Sequence, residues 1–269
     1  MGRADAEADG RWGETSLWVV SDHGHSPVRE HDDLARFVRR RGHRTIAHPW
    51  VHGAPASEVA VMVSGNAMAH VYLELGRRER PWWPALAARW GPLADALEAR
   101  ASVDLVILPI GADRCEVRSR ARGRALVTRD AAGGASALGT RFGYVPLDGG
   151  DPLGLGAGGA AEFDAREAHA ASLGTDHPDG LVQIACLAGA ARSGDVILSA
   201  ARDWDFRARY EPIPHVSSHG ALHREHMLVP LVTNRPPARA PRRTADVMPS
   251  ALRALGLPVP DGLDGESFV

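Results

Sequence analysis

Asp22, His23 and Gly24 end the stretch SLWVVSDHGHSP, a short apolar run that stops on an acid, an imidazole and a glycine. That ending suits a metal site. A carboxylate oxygen and an imidazole nitrogen are both good zinc ligands. Open α/β sheets collect their ligands at the C-terminal ends of strands. Gly24 would let the backbone turn sharply and leave space beside the two side chains. The simpler alternative is a polar turn whose histidines bond to backbone or water. A second pair, Asp176-His177, stands before Pro178 at an expected helix start, where Asp176 reads more simply as a cap.

A metal site needs more than two ligands. The best distant partners lie in PHVSSHGALHREHMLVPL, namely His215, His219, His223 and His226. His219 and His223 have the spacing of one helix face, but Gly220 weakens a helix at that point. A Ser-Ser-His-Gly turn before an apolar run makes His219 the strongest single candidate.

Other chemistries fare worse. Gly154, Gly156 and Gly159 fit G-x-G-x-x-G, with Asp179 at about the distance of the acidic partner, but no buried strand precedes them. All basic residues are arginine, which removes a P-loop lysine or a lysine Schiff base. There is no G-x-S-x-G nucleophile elbow. Cys115 and Cys186 are too few for a disulfide framework, and neither sits in a C-x-P-x-R context. A net charge of −2 gives no general pull towards nucleic acid. The arginines at 39–41 read as a solvated helix end rather than a phosphate patch.

Those candidates need elements to hold them. With 269 residues, 44% of them hydrophobic, the chain can bury a sizeable core. SLWVVS reads as a buried strand, and HDDLARFVRRRG as a helix with late arginines and a terminal glycine. EVAVMVSGNAMAHVYLEL predicts two strands turned at Gly65-Asn66. PWWPALAARWGPLADALEAR predicts a helix in two pieces, broken at Gly91-Pro92. VDLVILPI is a strand, and CEVRSRARGRALVTR a hairpin about Arg122-Gly123. EFDAREAHAASL and HPDGLVQIACLAG are helical, and GDVILSA and MLVPLVT are strands. RTADVMPSALRALG is a helix with Thr244 as N-cap and Gly256 as its stop. Trp82, Trp83 and Tyr72 could line a lid, although a satellite core uses the same residues. The expected organisation is 1–54 as the start of a core, 55–150 as an inserted small α+β subdomain, and 151–269 as the C-terminal part of the core.

Three of these stretches, SDHG at 21–24, His219-Gly220 before an apolar run, and DVMPSALRALGLPVPDGLDGES at 246–267, occur in the order of a known group. The chain resembles the alkaline phosphatase superfamily, in particular its type I phosphodiesterase/nucleotide pyrophosphatase branch. The match covers roughly 15–30 and 175–269. The resemblance implies an α/β fold with a central sheet flanked by helices and two divalent metals, usually zinc, at strand ends. It would make Asp22 and His23 ligands of one metal and His219 a ligand of the other. It implies in-line attack on phosphorus by a Ser or Thr, with a small-molecule phosphate ester or phosphodiester as substrate.

The family's nucleophile, an early Asp ligand and a D-x-x-x-H pair precede the SDHG strand. No D-x-x-x-H precedes it here, and Thr15 and Ser16 do not match the nucleophile by position. The expectation is therefore the C-terminal part of a metal-dependent phosphoric ester hydrolase, with the N-terminal part of the fold missing and weak activity in this chain alone. It would then pair with the missing part or self-associate through an exposed sheet edge. The alternative is a non-catalytic scaffold that binds a ligand or partner. The absence of a run of about 18 apolar residues argues against a membrane-spanning helix. Without an apolar leader, the chain reads as cytoplasmic.

Overall fold

The computed structural model describes residue 7 and residues 10–48, 56–77, 79–130, 136–156, 159–206 and 215–269. Trp18, Val19 and Val20 form the first strand, β1 (Trp18–Val20), where the apolar run predicts one, but Val19 and Val20 are exposed rather than buried as expected. The chain divides into two compact units, 1–22 with 229–269, and 23–228.

The larger unit begins with β2 (Ser26–His31), which the sequence did not announce, and α1 (Leu34–Arg40). The Asp33 side chain caps α1 by accepting from the Arg36 N–H at 2.8 Å. β3 (Thr45–Ala47) follows, then β4 (Val59–Ser64) and β5 (Met68–Leu73). These two pair as the hairpin expected about Gly65-Asn66. Next come α2 (Trp83–Glu98), β6 (Val103–Pro109), β7 (Arg114–Ser119) and β8 (Gly123–Asp130). β7 and β8 are the expected hairpin, and Gly123 takes a left-handed conformation with φ +75°. β9 (Arg141–Leu147), β10 (Ala161–Phe163), α3 (Ala165–Ser172), α4 (Gly180–Ala188) and β11 (Val196–Ala200) continue the unit. It ends with β12 (Asp203–Asp205), β13 (Ser217–Ser218) and α5 (Arg224–Met227).

Nine of these strands make one open sheet in the order β10-β9-β8-β7-β6-β11-β5-β4-β3. Only β3 and β4 run parallel; every other neighbouring pair is antiparallel. Alternation along a strand sends successive side chains to opposite faces, and β6 shows it. Val106 and Leu108 join the core beneath α1 and α2, whereas Leu105 and Ile107 join the core beneath α3 and α4. The result is a mixed α/β unit with a large mixed sheet flanked by helices. Separately, β12, β2 and β13 form a three-stranded sheet.

Two sequence expectations change. The helix expected to break at Gly91-Pro92 runs unbroken through Pro92 as α2. A proline inside a helix costs about 3 kcal/mol. Burial of Trp83, Leu86, Trp90, Leu93 and Leu97 against the sheet offsets it. The stretch 55–150 was expected to stand apart as an insert. Its strands instead carry most of the nine-stranded sheet, and β11, from 196–200, is hydrogen-bonded between β5 and β6.

In the smaller unit β1 pairs antiparallel with β14 (Leu231–Thr233), the only part of MLVPLVT that is a strand. Val19 and Val232 oppose each other across this ribbon, and both are exposed. The Trp18 ring packs on Phe268, with centroids 5.1 Å apart. The late motif explains itself in α6 (Val247–Ala254) and the segment after it. Asp246, not Thr244, stands at the N-cap of α6. Its carboxylate accepts from the Arg242 and Glu266 N–H groups, both at 2.9 Å, and pairs with Arg239 at 3.1 Å. The Ser250 hydroxyl donates to the Asp246 carbonyl and accepts from the Phe268 N–H. A Cβ on Gly265 would lie 2.1 Å from the Ala245 carbonyl oxygen, so only glycine fits there. This motif is a structural clasp. Gly256, at φ +67°, ends α6 as expected. No helix among the described residues is long and apolar enough to cross a membrane.

Candidate functional site

The β4–β5 hairpin tip and the loop at 215–223 hold each other through backbone groups. The His219 N–H donates to the Gly65 carbonyl at 2.9 Å, and the Ala67 N–H donates to the His219 carbonyl at 3.0 Å. Gly65 and Asn66 both have positive φ, +58° and +64°. A Cβ on Gly65 would meet the His219 carbonyl oxygen at 2.6 Å and its ring nitrogen Nδ1 at 2.7 Å. Gly65 is therefore the residue that lets His219 sit where it does. Gly65→Ala is expected to cost about 1–3 kcal/mol from backbone strain, before the clash with His219 is counted. Chemical denaturation would measure the loss, and displacement of the His219 ring signals in an NMR spectrum would locate it.

Gly24 makes a second close approach. Its φ is not positive, so its value is space rather than conformational freedom. A Cβ there would lie 2.0 Å from the Glu225 carbonyl oxygen. The Gly24 N–H donates to the His226 carbonyl at 2.8 Å. These contacts dock the segment that begins at His23 onto α5.

The outcome is a histidine cluster within the larger unit. The rings of His23 and His219, far apart in the chain, lie parallel with centroids 3.7 Å apart. His25 flanks both, 6.3 Å from His23 and 5.8 Å from His219. His23 Nδ1 is 2.9 Å from the Gly24 carbonyl oxygen. That contact requires the proton on Nδ1 and puts the ring's lone pair on Nε2, the tautomer by which many histidines bind metals. Asn66 Nδ2 donates to His215 Nδ1, which places the His215 proton on Nε2.

The remaining candidates are structural. His226 Nδ1 accepts from the Ala221 N–H at 3.1 Å, so its Nε2–H donates to Ser26 Oγ at 2.8 Å. The pair resembles a serine–histidine dyad, but the imidazole points a proton at the hydroxyl and cannot take one from it. Burial is the main reason the His226 pKa falls from 6.5 to about 3, with neighbouring imidazoles adding to it. His223 Nδ1 bonds the Glu225 carboxylate at 2.9 Å; burial still lowers its pKa. His177 is buried and bonds Asp104 at 2.8 Å, while Asp176 pairs with Arg202 at 2.9 Å. Asp176 is not the helix cap expected of it, since α4 starts only at Gly180. His219 and His223 do not share a helix face either, because α5 begins after both of them.

Of the three residues expected to bind metal, His23 and His219 are brought together. Asp22, exposed, is the last residue of the other unit's N-terminal segment. Among the described residues, no group of three or more His, Cys, Asp or Glu is arranged to hold a metal ion. A cavity of about 350 Å³ opens beside the cluster, lined by His25, Gly65, Asn66, His215, Ser217, Ser218 and His219. His25 was not singled out from the sequence, and Asn66, Ser217 and Ser218 were read there only as turn residues. The adjacency of His25 to the SDHG motif was the one available signal. The G-x-G-x-x-G glycines form no dinucleotide turn, because the edge strand β10 follows Gly159 where a helix is required; residues 157–158 lie outside the described ones. Comparison with protein-family models, curated proteins and solved structures found no match.

Proposed function

We propose that this chain contributes ligands to the divalent-metal centre of a phosphoric ester hydrolase of the alkaline phosphatase type. The observation that carries the reading is the meeting of His23 and His219 beside a cavity of about 350 Å³. The donor chemistry fits: two imidazoles lie in contact, and His23 has its Nδ1 proton committed to the Gly24 carbonyl and its lone pair on Nε2. His23 would serve one metal and His219 the other, as part of the ligand set. When bound, such metals would lower the pKa of an attacking hydroxyl and steady the leaving oxygen. The chain's own contribution is positional. Gly65 seats His219, Gly24 seats the segment after His23, and His226 fastens the two loops through Ser26, Ala221 and Gly24.

A second reading has its own support. The His23 and His219 rings are stacked and parallel to within 4°, so their in-plane lone pairs run in separate parallel planes and do not converge on one point. That arrangement favours a non-catalytic scaffold that keeps the histidines for packing and binds a partner. The exposed Val19–Val232 pair on the β1–β14 ribbon is the surface on which self-association would rest.

Zinc titration followed by histidine ring NMR separates the two. The hydrolase reading expects the His23 and His219 ring signals to move together, and His219→Ala to abolish the response of His23 or weaken it at least tenfold. It also expects slow hydrolysis of an aryl phosphodiester that is lost in the same variant. Ring signals that ignore zinc would sink the metal reading and leave the scaffold.

A further inference from the structure

The smaller unit has little core to set against its apolar surface. Among the described residues, Phe268 is its one buried large hydrophobic side chain, while Leu17, Val19, Val20, Val232, Leu255 and Leu257 are all exposed. Val19 and Val232 are 57% and 61% exposed. A sheet of two strands is marginal in water, and three or more are needed for stability. β1 and β14 form such a ribbon, and β1 has no second neighbour among the described residues.

The hydrogen-bond phase of the ribbon shows which backbone groups are left over. Leu17 and Asn234 form a bonded pair, in which the Asn234 N–H donates to the Leu17 carbonyl at 3.1 Å. Bonded and non-bonded pairs alternate along an antiparallel ladder, so Val19–Val232 is the next bonded pair. Trp18 and Val20 therefore turn their N–H and C=O groups away from β14, towards the open edge. Edge strands ordinarily carry a charge or a proline that discourages further pairing. Residues 15–21, TSLWVVS, carry neither, whereas Pro230 stands just before β14 at the other edge.

From this edge we infer that β1 pairs antiparallel with β1 of a second copy of the chain, about a twofold axis at Val19. The outward groups set the register. Trp18 bonds Val20 of the second copy, Val20 bonds its Trp18, and every edge donor and acceptor of the two residues is used. Side chains follow: Trp18 lies against Val20 of the other strand, and Val19 against its own counterpart. Aromatic–aliphatic and aliphatic pairs of this kind stabilise neighbouring strands. The absence of charge makes the strand compatible with itself, and the contact is isologous, as a twofold dimer requires. The product is a sheet of four strands, β14-β1-β1-β14, with Val19 and Val232 of both copies contiguous on one face. The inference rests on the self-association of the scaffold reading, to which it gives a strand and a register, and it makes no use of the histidines.

The test uses the full chain with chelator present, so that the zinc response plays no part. A short strand pairing covers less than the ~800 Å² per partner of a tight complex, so sedimentation is expected to show a monomer–dimer equilibrium at about 10–100 μM. Val19→Arg and Val19→Asp each set like charges opposite one another across the axis and are expected to weaken the dimer at least tenfold. Mixing the two variants is expected to restore it, because unlike charges then face each other. Amide exchange at Trp18 and Val20 is expected to slow as the concentration rises, while Val19, bonded within the ribbon, stays constant. A chain that remains monomeric, a dimer untouched by Val19→Arg, or a mixture of the variants that does not associate would overturn the inference. Exchange at Trp18 and Val20 that ignores concentration would do the same, and it needs no variant to fold. A monomer would leave the scaffold reading, which the zinc titration decides, untouched.

Discussion

Replacing Asp195 with alanine is expected to cost the larger unit about 3–5 kcal/mol, the usual loss when one partner of a buried ion pair is removed. The Asp195 side chain is fully buried just before β11. One oxygen accepts from the Leu73 N–H at 2.7 Å. Arg77 reaches both oxygens, at 2.6 and 2.8 Å, and the Arg80 guanidinium lies 3.7 Å away. The carboxylate thus joins the end of β5, the turn after it and the start of β11, at the centre of the nine-stranded sheet. Alanine would leave a backbone N–H and two largely buried guanidiniums without their anion. Urea denaturation of Asp195→Ala beside Arg29→Ala gives the comparison. Arg29 pairs with Asp203 at 3.5 Å on the surface, where such pairs contribute within about 1 kcal/mol. Equal losses in the two variants would refute a central role for Asp195.

Acidification is expected to unfold the larger unit well before its carboxylates are all protonated. His226 is the reason. Its pKa in the fold is about 3 against an ordinary 6.5, with burial as the main cause and the His223, His219 and His25 imidazoles adding to it. Between those two values the unfolded chain holds more protons on this residue than the folded one. Stability is therefore at its full level above about pH 6.5 and falls as the pH drops towards about 3. The slope approaches ~1.4 kcal/mol per pH unit for one such group. His223 and His70 are also lowered chiefly by burial and act in the same direction. The measurement is the denaturation midpoint with chelator present, at about pH 7 and about pH 4.5. His226→Asn should start less stable at neutral pH, having lost a bond from the Ala221 N–H or to Ser26, and should show a shallower fall with acid. A fall as steep in His226→Asn as in the parent would remove His226 from the explanation.

Local sequence determined the pieces whose causes are local. The β4–β5 and β7–β8 hairpins were legible because Gly65-Asn66 and Arg122-Gly123 separate alternating apolar runs, and positive φ falls on Gly65, Asn66 and Gly123. The end of α6 was legible because Gly256 accepts the left-handed conformation that closes a helix. His23 could be named because an apolar run stops on Asp22-His23-Gly24, and His219 because a Ser-Ser-His-Gly turn precedes an apolar run; the family resemblance put the two in one site. Each of these features depends on a few neighbouring residues and on backbone preferences that hold in any context.

Tertiary structure decided the rest, because the causes lie elsewhere in the chain. Pro92 stays inside α2 because sheet burial outweighs a missing backbone bond. β11 enters the middle of the sheet, and no local pattern records which strands will accept it. The stretch 55–150 became the body of the sheet for the same reason. Side-chain protons followed the fold as well. The Ala221 N–H sets the His226 tautomer and removes it as a base, whereas the Gly24 carbonyl leaves the His23 lone pair on Nε2. A sequence can say that histidines are present near glycines. Only the packed chain fixes which nitrogen holds the proton, and which of them face the cavity lined by Ser217 and Ser218.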